Sequence, residues 1–144
     1  MLAKPSLTLK RRFKASPEKV YNAWIDPDKI VHWWGPSPDD EVILAEIDAR
    51  VGGRFHLIFR ERDGETNDCS GVYREVVPNE KLVFTWAWRS TPERVSLVTL
   101  TFKPDSGQTL MTLLHEQFFD EEARDRHREG WSGALDKLEA MLTA

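Results

Sequence analysis

The chain has 144 residues, of which 40% are apolar, 10% aromatic and 31% charged, which fits one globular domain over residues 1–144 and excludes a disordered or two-domain chain. A domain of this size buries roughly 68–70% of its unfolded surface, enough for a core without disulfides or structural metals. Twenty Lys and Arg against 24 Asp and Glu leave a net charge of −4, with neither sign gathered into a run, which argues against nucleic acid as a partner.

Leu7, Leu9, Arg11 and Phe13 alternate with Thr8, Lys10, Arg12 and Lys14, the period-two pattern of a strand with one buried face. Arg11 then falls on the apolar side. Ser16-Pro17-Glu18 supplies a capping residue and a proline at the first helical position, ahead of Val20, Ala23 and Trp24 at helical spacing. Asp26-Pro27-Asp28 ends that helix and caps a second, which carries Ile30, Trp33 and Trp34 until Gly35-Pro36 stops it. From Glu41 to Gln117, turn residues at Gly52-Gly53, Asp63-Gly64, Pro78-Asn79, Thr91-Pro92 and 104–107 separate strand segments at 41–50, 54–61, 68–77, 81–89, 94–103 and 109–117. No helical stretch lies between them, so the pattern predicts a seven-stranded antiparallel sheet rather than βαβ crossovers. Past Phe118-Phe119, acids at Asp120-Glu121-Glu122 open a helix on which His127, Trp131, Ala134, Leu135, Leu138, Met141 and Leu142 recur every three or four residues. It runs for about 22 residues, near 33 Å, and only the sheet can cover its apolar stripe.

Strand alternation points Phe55, Leu57 and Phe59, Gly71 and Tyr73, Leu82, Phe84, Trp86 and Trp88, and Val98, Leu100 and Phe102 toward this helix. A curved antiparallel sheet closed by one helix often leaves its concavity unfilled, and such concavities bind apolar ligands. Large rings are also ordinary core residues, and residue types alone favour a filled interior. The polar exceptions are more informative, because a buried charge is paired or functional. Arg11 has the inward parity of the first strand. His115 follows Leu110-Met111-Thr112-Leu113-Leu114, apolar on both parities, which hides its register. At about 100° per residue, Arg124 and His127 share the stripe of Trp131 and fall near one mouth of the concavity. Taken singly, Arg11 pairs with a structural carboxylate and Arg124 snorkels to solvent.

Gly130-Trp131-Ser132-Gly133-Ala134 imitates a nucleophile elbow but lies in mid-helix with no strand before it. Gly130 and Gly133 each cost about 1 kcal/mol relative to alanine in a helix; Gly133 faces away from the sheet, and the sequence offers no account of it. Asp63, Glu65, Asn67 and Asp68 imitate a calcium loop, but Asp68 stands at the sixth position, where that loop requires glycine. His32, His56, His115 and His127 are dispersed, so neither a metal nor another cofactor is expected. The single cysteine, Cys69, reads as a small buried hydrophobe without a disulfide partner. Met1-Leu2-Ala3-Lys4-Pro5 is no apolar leader, and no run approaches the roughly 20 residues of a membrane helix. These features predict a cytoplasmic protein without a membrane span.

Arg11-Arg12-Phe13-Lys14-Ala15-Ser16-Pro17, Trp33-Trp34-Gly35-Pro36, Asp48-Ala49-Arg50-Val51-Gly52-Gly53, Gly71-Val72-Tyr73-Arg74-Glu75, Leu82-Val83-Phe84-Thr85-Trp86 and Gly130-Trp131 with Leu135 and Leu138 occur in that order. From about residue 6 to 142 this arrangement resembles the bacterial family similar to the C-terminal domain of the activator of the 90-kDa heat-shock protein ATPase. The resemblance implies an α+β, START-like helix-grip fold. In it, a curved seven-stranded antiparallel sheet wraps around a long C-terminal helix, two short helices follow the first strand, and an apolar cavity separates sheet from helix. It also implies that Met111, Leu113 and His115 form the inward parity of the last strand. No catalytic set of the family maps onto the chain.

The expected function is non-enzymatic binding of a small hydrophobic or amphipathic molecule. The candidate cavity residues are Arg11, Phe55, Leu57, Phe59, Tyr73, Phe84, Trp86, Trp88, Val98, Leu100, Met111, Leu113, His115, Arg124, His127, Trp131 and Leu135. Two further readings stand beside it. One is a module that binds a chaperone or other protein through an outer surface, which exposed aromatics near Trp33-Trp34-Gly35-Pro36 would favour. The other is a cyclase- or hydrolase-type enzyme, with His115 or His127 as acid/base and Arg11 or Arg124 as an anion anchor. A homodimer is left open.

Overall fold

A computed structural model describes residues 4–143; Met1, Leu2 and Ala3, on which part of the leader expectation rests, lie outside the described residues. Strand β1 (Leu7–Phe13) is followed by helices α1 (Pro17–Ile25) and α2 (Pro27–Ile30). Six further strands then run in succession: β2 (Glu41–Ile47), β3 (Arg54–Arg60), β4 (Thr66–Val77), β5 (Lys81–Trp88), β6 (Ser96–Asp105) and β7 (Gln108–Glu116). Helix α3 (Glu121–Thr143) closes the chain. The sheet order is β1-β7-β6-β5-β4-β3-β2, with every pair antiparallel. β2 to β7 are therefore a meander, and β1 closes on β7 in the register Leu7 to His115 and Phe13 to Thr109.

Since β1 and β2 are opposite edges of the sheet, the chain between them crosses its inner face and carries α1 and α2 there. Ser16 Oγ accepts from Lys19 N at 3.3 Å to start α1. Asp26 closes α1 through its own N–H to Asn22 O and caps α2 by accepting from Asp28 N at 2.9 Å. The second helix is shorter than the sequence pattern suggests: Trp33 and Trp34 lie past its end, in turns whose N–H groups bond Ile30 O. On a regular helix these neighbours would face about 100° apart. Leaving the helix lets both rings turn inward, to 0% and 5% exposure.

Register shifts at Val42/Leu44 and Tyr73/Glu75 mark bulges in β2 and β4, which bend and twist a strand. β2 ends at Ile47 rather than 50 because residues 48–53 turn on the Arg50 N to Asp48 O and Gly53 N to Arg50 O bonds. The inward parity of β7 is Met111, Leu113 and His115, each with 0% exposure. α3 starts where Asp120 Oδ1 accepts from Ala123 N at 2.8 Å, and it buries Ala123, Trp131, Ala134, Leu135 and Leu138 against the sheet side. Among the described residues no helix is long and apolar enough to cross a membrane.

Candidate ligand cavity

The inner face of the sheet is filled at one end and open at the other. At the filled end, Trp24, Ile30 and Trp34 come down on Ile47, Phe55, Leu57, Tyr73, Leu82 and Phe84, leaving a void of only about 10 Å³, about the room of one water probe. At the open end is a cavity of about 690 Å³, within the range of sites for drug-sized molecules. Its floor and walls are Trp86 and Trp88 of β5, Phe59 of β3, Ser96 of β6, Phe118, and Ala123, His127, Gly130, Trp131 and Ala134 of α3. Trp34-Gly35-Pro36, Glu61, Asn67, Ser90, Thr91, Arg94, Phe119 and Arg126 complete it. Trp34 borders both spaces and so divides them.

Of the sequence-based candidates, Phe59, Trp86, Trp88, His127 and Trp131 line this cavity. His115 lies behind its wall, bonded to Ser96 and Trp131. The others sit elsewhere. Phe55, Leu57, Tyr73 and Phe84 pack the filled end, and Val98, Leu100, Met111, Leu113 and Leu135 are solid core at 0–1% exposure. Arg11 keeps its inward parity but reaches the seam between β1 and α3, where Nη1 meets Asp136 Oδ1 at 2.7 Å. Arg124 pairs with Asp125 at 3.0 Å and does not line the cavity.

The arginines that do line it, Arg94 and Arg126, were not anticipated, nor were Trp34 to Pro36, Ser96, Phe118 or Phe119. One readable signal existed. Ala123, Gly130 and Ala134 form a stripe of small residues, which is where a helix leaves space rather than fills it.

Two imidazoles are woven into the aromatic wall. The Trp131 indole donates its N–H to His115 Nδ1 at 3.0 Å. The ring's proton must therefore sit on Nε2, from which it is donated to Ser96 Oγ at 2.7 Å, while that hydroxyl donates to Trp86 O at 3.4 Å. His127 repeats the arrangement with its nitrogens exchanged: Nε2 accepts the Trp88 N–H at 2.9 Å, and Nδ1–H donates to Ala123 O at 2.7 Å. Both rings are thus neutral with both nitrogens engaged. Burial, then the neighbouring His127, holds the His115 pKa well below its usual 6.5. The pKa of His127 is also lowered, chiefly by burial and further by Arg126, against the opposing effect of the Ala123 bond.

All six tryptophans of the chain join one ring network through contacts such as Trp24–Trp33 at 4.6 Å between centroids, Trp34–Trp86 at 5.6 Å, Trp86–Trp131 at 5.0 Å and Trp86–Trp88 at 5.5 Å. Edge-on and tilted contacts of this kind add to the stabilisation from burial. The segment after Trp34 is fastened to α3. A Cβ built on Gly133 would overlap the carbonyl oxygen of Pro36, so glycine there is a condition of close approach. Four residues further along, Lys137 Nζ donates to Trp34 O at 3.1 Å and Ser37 O at 2.7 Å. Burial lowers the pKa of this lysine, with Asp40 opposing the effect.

At the mouth, the Arg94 guanidinium carbon lies 3.8 Å from the centre of the Phe119 ring, a cation–π contact. Glu61 is the one acid among the lining residues; its carboxyl pKa is raised by burial first, opposed by an Asn67 hydrogen bond, and raised further by Glu65, Asp63 and Asp40. Glu61, Asp63 and Glu65 bring carboxylate oxygens within 4.8 Å of one another at the β3–β4 turn, where Gly64 has φ 93° and Gly64 N bonds Glu61 O.

A profile of the family described as Activator of Hsp90 ATPase homolog 1-like protein matches residues 14–143. The human activator of 90 kDa heat shock protein ATPase homolog 1 is 29% identical over 126 residues, which are 87% of this chain and 33% of that protein. The chain thus spans about a third of the length of the curated relatives it matches. Among solved structures, a Chromobacterium violaceum protein superposes with a TM-score of 0.87 at 27% identity, covering 96% of this chain and 97% of that one. A Silicibacter pomeroyi protein described as AHSA1 gives a TM-score of 0.86 at 30% identity, covering 96% and 98%.

Proposed function

The chain belongs to the Activator of Hsp90 ATPase homolog 1-like family, and from that premise we propose that it works as one helix-grip domain holding a small hydrophobic or amphipathic molecule without transforming it. The observation that carries this reading is the contrast within one concave face: about 10 Å³ at the filled end against about 690 Å³ beside it, walled by tryptophans. A sequence able to close one half with Trp24, Ile30 and Trp34 places Ala123, Gly130 and Ala134 over the other. The enzyme reading has less support, because neither His115 nor His127 offers a free ring nitrogen to a substrate.

The protein-interaction reading rests on the relatives described as activators of a heat-shock protein ATPase. Trp33 and Trp34 themselves are buried, and the exposed aromatic near them is Phe119, 60% exposed at the same opening as Trp34-Gly35-Pro36.

Titration with N-phenyl-1-naphthylamine, a neutral apolar fluorophore, tests the proposal. Saturable one-site binding is expected, and it should be lost in Gly130→Leu, whose side chain would enter the cavity. A folded wild-type protein that shows no saturable binding would overturn the reading.

A further inference from the structure

We infer that the cavity selects an acidic amphipath, with its apolar body among the tryptophans and its anionic head group, a carboxylate or sulfonate, at the mouth between Arg94 and Arg126. The inference rests on the ligand-binding reading and adds to it the charge of the ligand. It begins from the distribution of charged donors around one opening. Arg94 and Arg126 both line the cavity and are both exposed. Neither has a carboxylate within ion-pair distance among the described residues, whereas Arg11, Arg12, Arg50 and Arg124 each have one. The Arg94 guanidinium carbon also lies 3.8 Å from the centre of the Phe119 ring. A cation–π contact engages no oxygen acceptor, so the N–H fork that binds a carboxylate or sulfonate stays available.

Nothing else in the cavity competes for that role. The two histidines are neutral and saturated by the Trp88, Trp131, Ser96 and Ala123 bonds, and Lys137 is committed to the carbonyls of Trp34 and Ser37. Glu61 is the one opposing charge among the lining residues, against the two arginines. The opening is therefore positive while the depth is apolar and uncharged. That division orients a molecule with one acidic end, because its charge keeps contact with water and guanidinium while its body leaves water.

Two probes that share an anilinonaphthalene body separate the claims: N-phenyl-1-naphthylamine is neutral, and 8-anilinonaphthalene-1-sulfonate carries one negative charge. In the double variant Arg94→Gln, Arg126→Gln, sulfonate affinity should fall about tenfold, the sum expected of two exposed charge pairs. The affinity of the neutral probe should stay within about twofold. Wild-type affinity for the sulfonate should also decline with added salt, and that dependence should shrink in the variant. If both probes bind the wild type and the double substitution leaves the sulfonate unchanged, or weakens both probes alike, the charge assignment is overturned while the cavity reading stands. If neither probe binds a folded wild type, both fall together. Retained thermal unfolding in the variant, whose substitutions are at the surface, certifies the comparison.

Discussion

Mild acid should weaken the folded state before its carboxylates are titrated, because two imidazoles are held neutral. Protonating His115 at Nδ1 removes the acceptor of the Trp131 N–H in a site with 0% exposure. Protonating His127 at Nε2 does the same to Trp88. Both folded pKa values lie below the ordinary 6.5, which the unfolded chain recovers. The unfolded state then binds protons that the folded state refuses, so this stability is fully present above pH 6.5 and is lost as pH falls below it. For one group the slope approaches 1.36 kcal/mol per pH unit. Between pH 7 and 5.5 a histidine held neutral in the folded state forfeits on the order of 1 kcal/mol, and the larger share falls to His115, whose pKa is held well below the usual value. With about 2 kcal/mol per molar urea for a chain of this size, the unfolding midpoint should drop by roughly 1 M. Urea titrations at the two pH values, followed by tryptophan emission, measure this, and His115→Gln should remove the larger share of the drop. A midpoint that stays put or rises on acidification would refute the reasoning.

Gly133→Ala should destabilise the protein by about 1–3 kcal/mol through the Pro36 carbonyl, despite the gain of about 1 kcal/mol in helix propensity. Gly130→Ala, whose Cβ would meet only Pro36 Cβ at 3.9 Å, should gain up to about 1 kcal/mol; equal responses in thermal melts would contradict the close approach. Trp131→Phe keeps a ring but leaves His115 Nδ1 without its donor, a loss of about 1–3 kcal/mol by urea unfolding, and it should flatten the acid dependence. An unchanged midpoint would show that the bond to His115 carries no stability.

The sheet is legible because most strands alternate and each turn is punctuated, β7 being the exception with 110–114 apolar on both parities, and the helices because Ser16-Pro17 and Asp26-Pro27 pair a capping residue with proline at the first helical position. The cavity is not, because its position depends on where α1 and α2 place their rings across the sheet, a long-range outcome with no local pattern. Trp34 is the deciding residue, since it partitions a face that alternation treats as uniform. The same ambiguity misplaced the arginines. Trp131 and His127 defined a helical stripe that included Arg124, but the open space faces Ala123, Gly130 and Ala134, roughly 80° around the helix from Trp131, which brings in Arg126 instead. For Arg11, parity specifies the face and says nothing about position along it; the side chain keeps that face and pairs with a carboxylate, Asp136, away from the open cavity.

The joining of all six tryptophans into one network of neighbouring rings has a consequence for how the protein handles light. With centroids 4.6–5.7 Å apart along Trp33, Trp24, Trp131 and Trp86, and from Trp86 to Trp34 and Trp88, the excitation energy of an ultraviolet photon absorbed by any indole can pass among its neighbours before it is emitted. The emission is that of whichever ring lies lowest in energy. Removing one tryptophan would therefore reroute the emission rather than subtract one sixth of it, and a single quencher lodged beside Trp86 would darken rings it never touches.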